Sequence, residues 1–268
     1  MNAITMNPIE LRRAVREGRH TGPTAGLAPG YVQTNVVILP AADAADFAEF
    51  CRLNDRPCPL VAQTAPGDPE PTDAAPGADL RTDVPRYRVF RDGRADTVEP
   101  TEIAAIWRDD LVGFLLGCSF TFEAALEAAG LSVRHIHEHR NVPMYRTAIA
   151  CRPAGRFAGP LVVSMRPYRP DQIERVREIT GRYPAMHGAP IHVGDPAEIG
   201  IADLASPDFG DSVAIHEGEV PVFWACGVTP QLALAAARPE IAITHSPGCM
   251  FVTDLRDDRY CVAEAARS

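Results

Sequence analysis

The stretch VPVFWACGVTPQLALAAA, residues 220–237, joins an apolar run of strand length to a Gly-Val-Thr-Pro turn and then to an alanine-rich segment with helical character. A strand that hands over to a helix within three residues calls for a layered α/β arrangement, because both elements must bury apolar faces against a common core. Gly227 permits the turn, Thr229 suits the N-cap and Pro230 suits the first helical position. Helix starts at strand ends present N–H groups and a partial positive charge, so the amides around Gly227, Val228 and Thr229 form a candidate carboxylate site. Cys226 stands beside it. At a helix N-terminus its thiolate would be favoured; the alternative is a small buried core residue.

The same handover recurs elsewhere. GYVQTNVVILP (30–40) reads as a buried strand, and AADAADFAEFCRLN (41–54) reads as a helix with Phe47, Phe50 and Cys51 on one stripe. RYRVFRDGRADTVEP (86–100) alternates around Asp92-Gly93, a hairpin signal. TEIAAIWRDDLVGFLLG (101–117) is expected to be helical, followed by a second helix over 118–130 that ends at Gly130. GPLVVSMRPY, PDQIERVREITGRY and APIHVG read as strand, helix and strand, which implies a crossover between parallel strands. Near the N-terminus, Asn7, Pro8 and Glu10 fit N-cap, N1 and N3, with Gly18 as the stop; this is a short helix and not a signal peptide. Residues 63–79 carry four prolines, two glycines and four acidic residues without periodicity. Such a loop is either a disordered insertion or a functional lid.

Composition removes several chemistries. All 26 basic residues are arginines, so no lysine Schiff base with pyridoxal phosphate, no P-loop lysine and no lysine general base can operate. The net charge of −9 argues against broad contact with nucleic acid, and no apolar run approaches the length of a membrane span. The seven cysteines contain no C-x-x-C pair and the count is odd. With no export signal, we expect reduced thiols in a cytoplasmic protein.

Several side chains are candidates for chemistry. His245 follows an apolar strand and His187 sits beside Gly188 on a loop; either is an acid/base candidate, or a satisfied buried histidine. Arg146 and Arg166 each emerge from apolar surroundings and should pair with a carboxylate, the protein's own or a substrate's. His135, His137 and His139 alternate, so on a strand they would share one face, open to solvent or to a metal. In GCSFTF, Cys118 and Ser119 suggest a nucleophile elbow, but Thr121 replaces the second glycine, which leaves Ser119 as a cap.

Taken together, GYVQTNVVILP, RTDVPRYRVFRDG, RDDLVGFLLGCSFTFE, RNVPMYRT, GPLVVSMRP, MHGAPIHVGDP, GEVPVFWACGVTPQ and ITHSPG resemble a bacterial hydro-lyase family related to the D-glutamate cyclases. The resemblance spans residues 29–255. It implies a two-part α/β protein and conversion of D-glutamate to 5-oxo-D-proline with loss of water. We accordingly expect a three-layer main domain on a mixed sheet, from residues 1–130 and 215–268. A smaller two-layer α+β subdomain would comprise 131–214.

For that reaction Arg146 or Arg166 would clamp the α-carboxylate. The amides of Gly227, Val228 and Thr229 would hold the γ-carboxyl and its oxyanion, and His245 or His187 would move protons. Cys226 would form a thioester or line the pocket. No cofactor or metal is required, and the expected partner is a small carboxylate; a homo-oligomer is compatible with this reading. Other readings are a hydratase or dehydratase of another small acid, a metal hydrolase built on the three histidines, and a non-catalytic carboxylate-binding protein.

Overall fold

A computed structural model describes residues 6–262. The chain opens with α1 (Pro8–Arg16), capped as expected: Asn7 Oδ1 accepts the Glu10 amide and Glu10 returns the bond to the Asn7 amide. It continues through β1 (Tyr31–Pro40), α2 (Ala41–Leu53), β2 (Leu60–Gln63), β3 (Tyr87–Arg91), β4 (Arg94–Ala95) and β5 (Leu111–Gly117). The middle comprises α3 (Phe120–Ala128), α4 (Arg134–His137), β6 (Met144–Ala150), β7 (Pro160–Tyr168), α5 (Ile173–Gly181) and β8 (His192–Val193). It closes with β9 (Val220–Ala225), α6 (Thr229–Ala237), β10 (Ile241–His245) and β11 (Phe251–Arg256).

Two sheets result, in keeping with the α/β class. The larger runs β2-β5-β1-β10-β3-β4, with β11 also on β1; the smaller runs β6-β7-β9-β8. Every pairing between these strands is antiparallel. The parallel crossover expected around α5 is therefore replaced: β7 and β8 do run the same way, but β9 lies between them and is antiparallel to both.

Alternation along β1 sends Val37 and Leu39 to one face of the large sheet, Val36 and Ile38 to the other. The first face meets the small sheet through Phe47 and Phe50 of α2, Leu234 of α6, and Met165 and Phe223. Phe47 packs edge-on to Phe114 and Phe157 at 4.9 and 5.3 Å, each contact worth about 0.5–1.5 kcal/mol beyond its buried area. On the far side of the small sheet, Trp224 and Val222 pack under α3 and α5 through Phe122, Leu126, Val176 and Ile179.

Two expectations about elements fail here. The segment 101–117 is no helix; only Ala104–Ile106 forms a 3-10 turn, and Leu111–Gly117 is a strand between β2 and β1. Buried on both faces, that strand shows no alternation and cannot be told from a buried helix by pattern. The loop 63–79 is neither a disordered insertion nor a lid. Ala74, Ala75 and Ala78, with neighbouring Leu80, are buried on the outer face of the large sheet, and the Pro71 carbonyl accepts the amides of Ala74 and Ala75.

Candidate functional site

Strand β1 is shared along one edge by two partners, and the join between them creates the site. Strand β10 pairs at Val37 and Ile38, while β11 takes over at Thr34. Between them the Val36 amide would be an orphan. His245, the last residue of β10, fills that role: its Nδ1 accepts the Val36 N–H at 3.1 Å. The same nitrogen lies 3.4 Å from the Val36 carbonyl; accepting the shorter bond, from an amide that would otherwise be buried unpaired, leaves the imidazole proton on Nε2. His187 is held in the opposite tautomer, since its Nδ1 lies 2.7 Å from the Arg56 carbonyl and must donate to it, leaving Nε2 as a lone pair. The His187 backbone is left-handed at φ 76°. For a bulky residue this costs on the order of 1–3 kcal/mol, a strain that clusters at functional positions.

Both histidines line one cavity of about 30 Å³, together with Asn35, Cys118, Ser119, Cys226, Gly227 and Val228. Its walls come from both sheets. Cys118-Ser119 follows β5 and opens α3, and Cys226-Gly227 follows β9 and opens α6. At each joint the backbone two residues on, Phe120 or Val228, partly offsets the burial that raises the cysteine thiol. The amides of Ser119 and Gly227 have no hydrogen-bond partner among the described residues. Gly227 is required sterically, because a Cβ there would lie 2.1 Å from Asn35 Nδ2, while Asn35 itself donates to the Gly117 carbonyl at 2.8 Å.

Among the described residues, none lining this cavity carries a fixed charge. Burial drives both His187 and His245 down to about 4, so both are neutral at pH 7. Burial pushes the thiols up, to about 12 at Cys118 and about 11 at Cys226. Cys226 is thus a protonated thiol and not the thiolate expected at a helix start. In the unfolded chain the histidines titrate near 6.5, so their neutral folded forms stabilise the protein fully above that pH. This contribution is lost as pH falls through about 4. Melting temperature should therefore decline between pH 6.5 and 4, and a His187→Gln/His245→Gln variant, followed by thermal denaturation across that range, should show a shallower decline.

Beneath α3 lies a fully buried Arg166. Its Nε and Nη2 donate to Glu123 Oε1, Nη2 also to Ser119 Oγ at 3.0 Å, and Nη1 to Ser164 Oγ at 3.0 Å. The guanidinium lies over Phe122 and Trp224 at 5.3 and 5.2 Å. Burial alone would raise the Glu123 carboxyl, but Arg166 and then His135 outweigh it and hold it at about 2.

The sequence-derived candidates divide. His187, His245, Cys226, Gly227 and Val228 come together at the cavity. Thr229 does not line it: it is the first helical residue and not the N-cap, and its Oγ1 ties α6 to Val162 of β7, accepting the amide at 3.0 Å. The Thr229 amide is taken by the Cys226 carbonyl. Arg166 is committed to Glu123. Arg146 lies on the surface beside Asp208 and Phe209. Ser119 makes no cap bond and serves Arg166 instead.

The three alternating histidines do not share a strand face, because α4 ends at His137; His135 faces Glu123 at 3.4 Å, His137 faces Glu127, and His139 is left-handed at φ 53°. Among the described residues no group of three or more His, Cys, Asp or Glu side chains could hold a metal ion. Asn35, Ser119 as an amide donor, and Glu123 as the carboxylate that Arg166 needs are the additions that sequence reasoning missed. The polar Asn35 inside an apolar strand, and Arg166 itself, were the signals present.

The D-glutamate cyclase family model matches residues 112–254. A protein of Rubrobacter xylanophilus named "Putative hydro-lyase" is 61% identical over 94% of this chain and 96% of its own. One of the same name from Stutzerimonas stutzeri is 58% identical, over 95% and 96%. A "Putative hydro-lyase" of Bacillus licheniformis is 57% identical, over 98% and 100%. A nitrogen repressor-like protein from Methanococcus jannaschii, known by crystal structure, aligns at a TM-score of 0.37 and 8% identity over 92% of this chain and 98% of its own, too little to bear on the fold.

Proposed function

Because this chain belongs to the D-glutamate cyclase family, we propose that it is a hydro-lyase that closes D-glutamate to 5-oxo-D-proline with release of water. The observation that carries this reading is the pair of neutral histidines, fixed in opposite tautomers at one cavity without fixed charge.

Free glutamate presents an ammonium and a carboxylate, neither of which reacts. Removal from water into a cavity without fixed charge disfavours both ions and favours the amine and the carboxylic acid. His187 Nε2 provides the transfer: it takes a proton from the ammonium and passes it to the γ-carboxylate. The amine then attacks the γ-carboxyl carbon. The amides of Ser119 and Gly227 and the Nε2–H of His245 donate to the oxyanion that develops. On collapse, His187 moves a second proton from nitrogen to the departing hydroxyl, which leaves as water while the C=O re-forms. Two protons and one oxygen depart, and one N–H remains on the lactam. Ring closure within one molecule supplies proximity worth an effective molarity above about 10⁵ M. Cys118 and Cys226, both protonated, line the wall in this scheme.

A cavity of about 30 Å³ holds roughly two water molecules. A five-carbon acid therefore also occupies the adjoining groove, which shares Phe120, Asn141 and Gly248 with the cavity. The test is incubation of purified protein with D-glutamate and detection of 5-oxo-D-proline by mass. Arg146→Ala, a surface change, should turn over within about twofold of the unaltered chain, as exposed side chains remote from a site commonly do. Absence of product across D- and L-amino dicarboxylates overturns the reading.

A further inference from the structure

We propose that the groove outside the cavity is a binding site for the spectator carboxylate of the substrate, with Arg140 as its cation. The inference rests on the cyclase reading above. Ring closure uses the amine and the γ-carboxyl, so the α-carboxylate stays charged and needs a partner the inner cavity lacks. The groove, about 400 Å³, lies against the cavity across Phe120, Asn141 and Gly248, and its wall is the HIHEHRN motif, for which the reaction scheme has no other use.

Arg140 is the only arginine lining either space among the described residues. Its Nη1 donates to the Ser212 carbonyl, and its Nε is 3.6 Å from a Glu138 oxygen, an exposed and loose pairing. Nη2 makes no hydrogen bond among the described residues. By contrast, Arg146 is paired on the outer surface and Arg166 is sealed against Glu123. The segment carrying Arg140 is fixed by a second lining residue: Asp211 Oδ2 accepts the Asn141 amide at 2.9 Å, and the Asp211 amide donates to the Asn141 carbonyl at 3.2 Å. Asp211, the acidic residue of the groove, is thus engaged with backbone; the Arg140 guanidinium, held toward a neighbouring depression by Ser212 and Glu138, is the cation at the groove's edge. The substrate class this arrangement selects is a short acid with a second carboxylate beyond the reacting one.

Two measurements on the full chain test this. A hydrogen bond to a charged group is worth about 1.5–3 kcal/mol, or roughly 10- to 100-fold. Arg140→Gln should therefore raise the KM for D-glutamate by about 10- to 100-fold with kcat within about threefold, and leave turnover of 4-aminobutyrate, which lacks the α-carboxylate, unchanged. Arg140→Lys should fall between. Independently of turnover, titration calorimetry with glutarate, which cannot cyclise, should show the same weakening in Arg140→Gln. Glutarate affinity and KM unchanged in a folded Arg140→Gln protein would overturn the proposal, as would failure of the unaltered protein to bind glutarate. Arg140-dependent glutarate binding without conversion of D-glutamate would instead uphold the groove and sink the catalytic reading.

Discussion

Glu123→Ala should destabilise the protein by about 3–5 kcal/mol, because it strands a buried guanidinium without its counter-ion. Arg166 has no exposure to water and Glu123 almost none. For a chain of this size the loss corresponds to a fall in melting temperature on the order of 10 °C. Glu123→Leu combined with Arg166→Leu removes both charges and should recover most of it, since well-packed apolar residues commonly replace a buried pair without penalty. Thermal melts of the single and double variants decide the matter; a cost below about 1 kcal/mol for Glu123→Ala would mean that the pair contributes little. The acid response has a definite sign. The folded carboxyl lies at about 2 against an ordinary value of 4.5, so its contribution is complete above pH 4.5 and disappears as pH falls toward 2.

His187→Gln should reduce kcat for D-glutamate by about 10²- to 10⁴-fold, the usual contribution of a positioned general acid–base. Glutamine retains an N–H for the Arg56 carbonyl while losing the proton-accepting nitrogen, so the protein should still fold. The left-handed backbone at this residue argues for reading activity alongside a melt. Because burial holds the imidazole near 4, kcat/KM of the unaltered protein should stay level from neutral pH down to about 4, with no inflection near 6.5. A limb centred near 6.5 would assign the proton transfers to a more exposed group.

Local signals in the sequence were sufficient where the physics is local. The capping box at Asn7 and Glu10, the hairpin at Asp92-Gly93, and the handovers at Pro40-Ala41 and Ala225–Thr229 each depend on a few adjacent residues, and each is present in the fold. Leu111–Gly117 misleads because a strand buried on both sides carries no period. The alternating histidines mislead for a different reason. Ile136 between them is partly exposed and only His135 is buried, so the spacing reflects no packed face, and the chain forms a single turn of helix. Arg166 was recognisable as an arginine needing an anion, but Glu123 lies 43 residues away, and no spacing rule reaches that far. The histidine tautomers were beyond reach as well, since they depend on backbone groups of Val36 and Arg56 that only the tertiary arrangement brings into place.

One guanidinium spans the seam of the molecule. Arg166 belongs to the four-stranded sheet, while Ser119 and Glu123 lead away from the seven-stranded one. The linkage fastens the entrance of α3 to the opposing layer directly behind the Ser119 amide. The two halves are thereby coupled at the point where the chemistry is proposed to occur, and loosening either should disturb that amide. Loss of catalytic competence on warming should consequently coincide with cooperative melting of the whole chain rather than precede it as a separate, milder event.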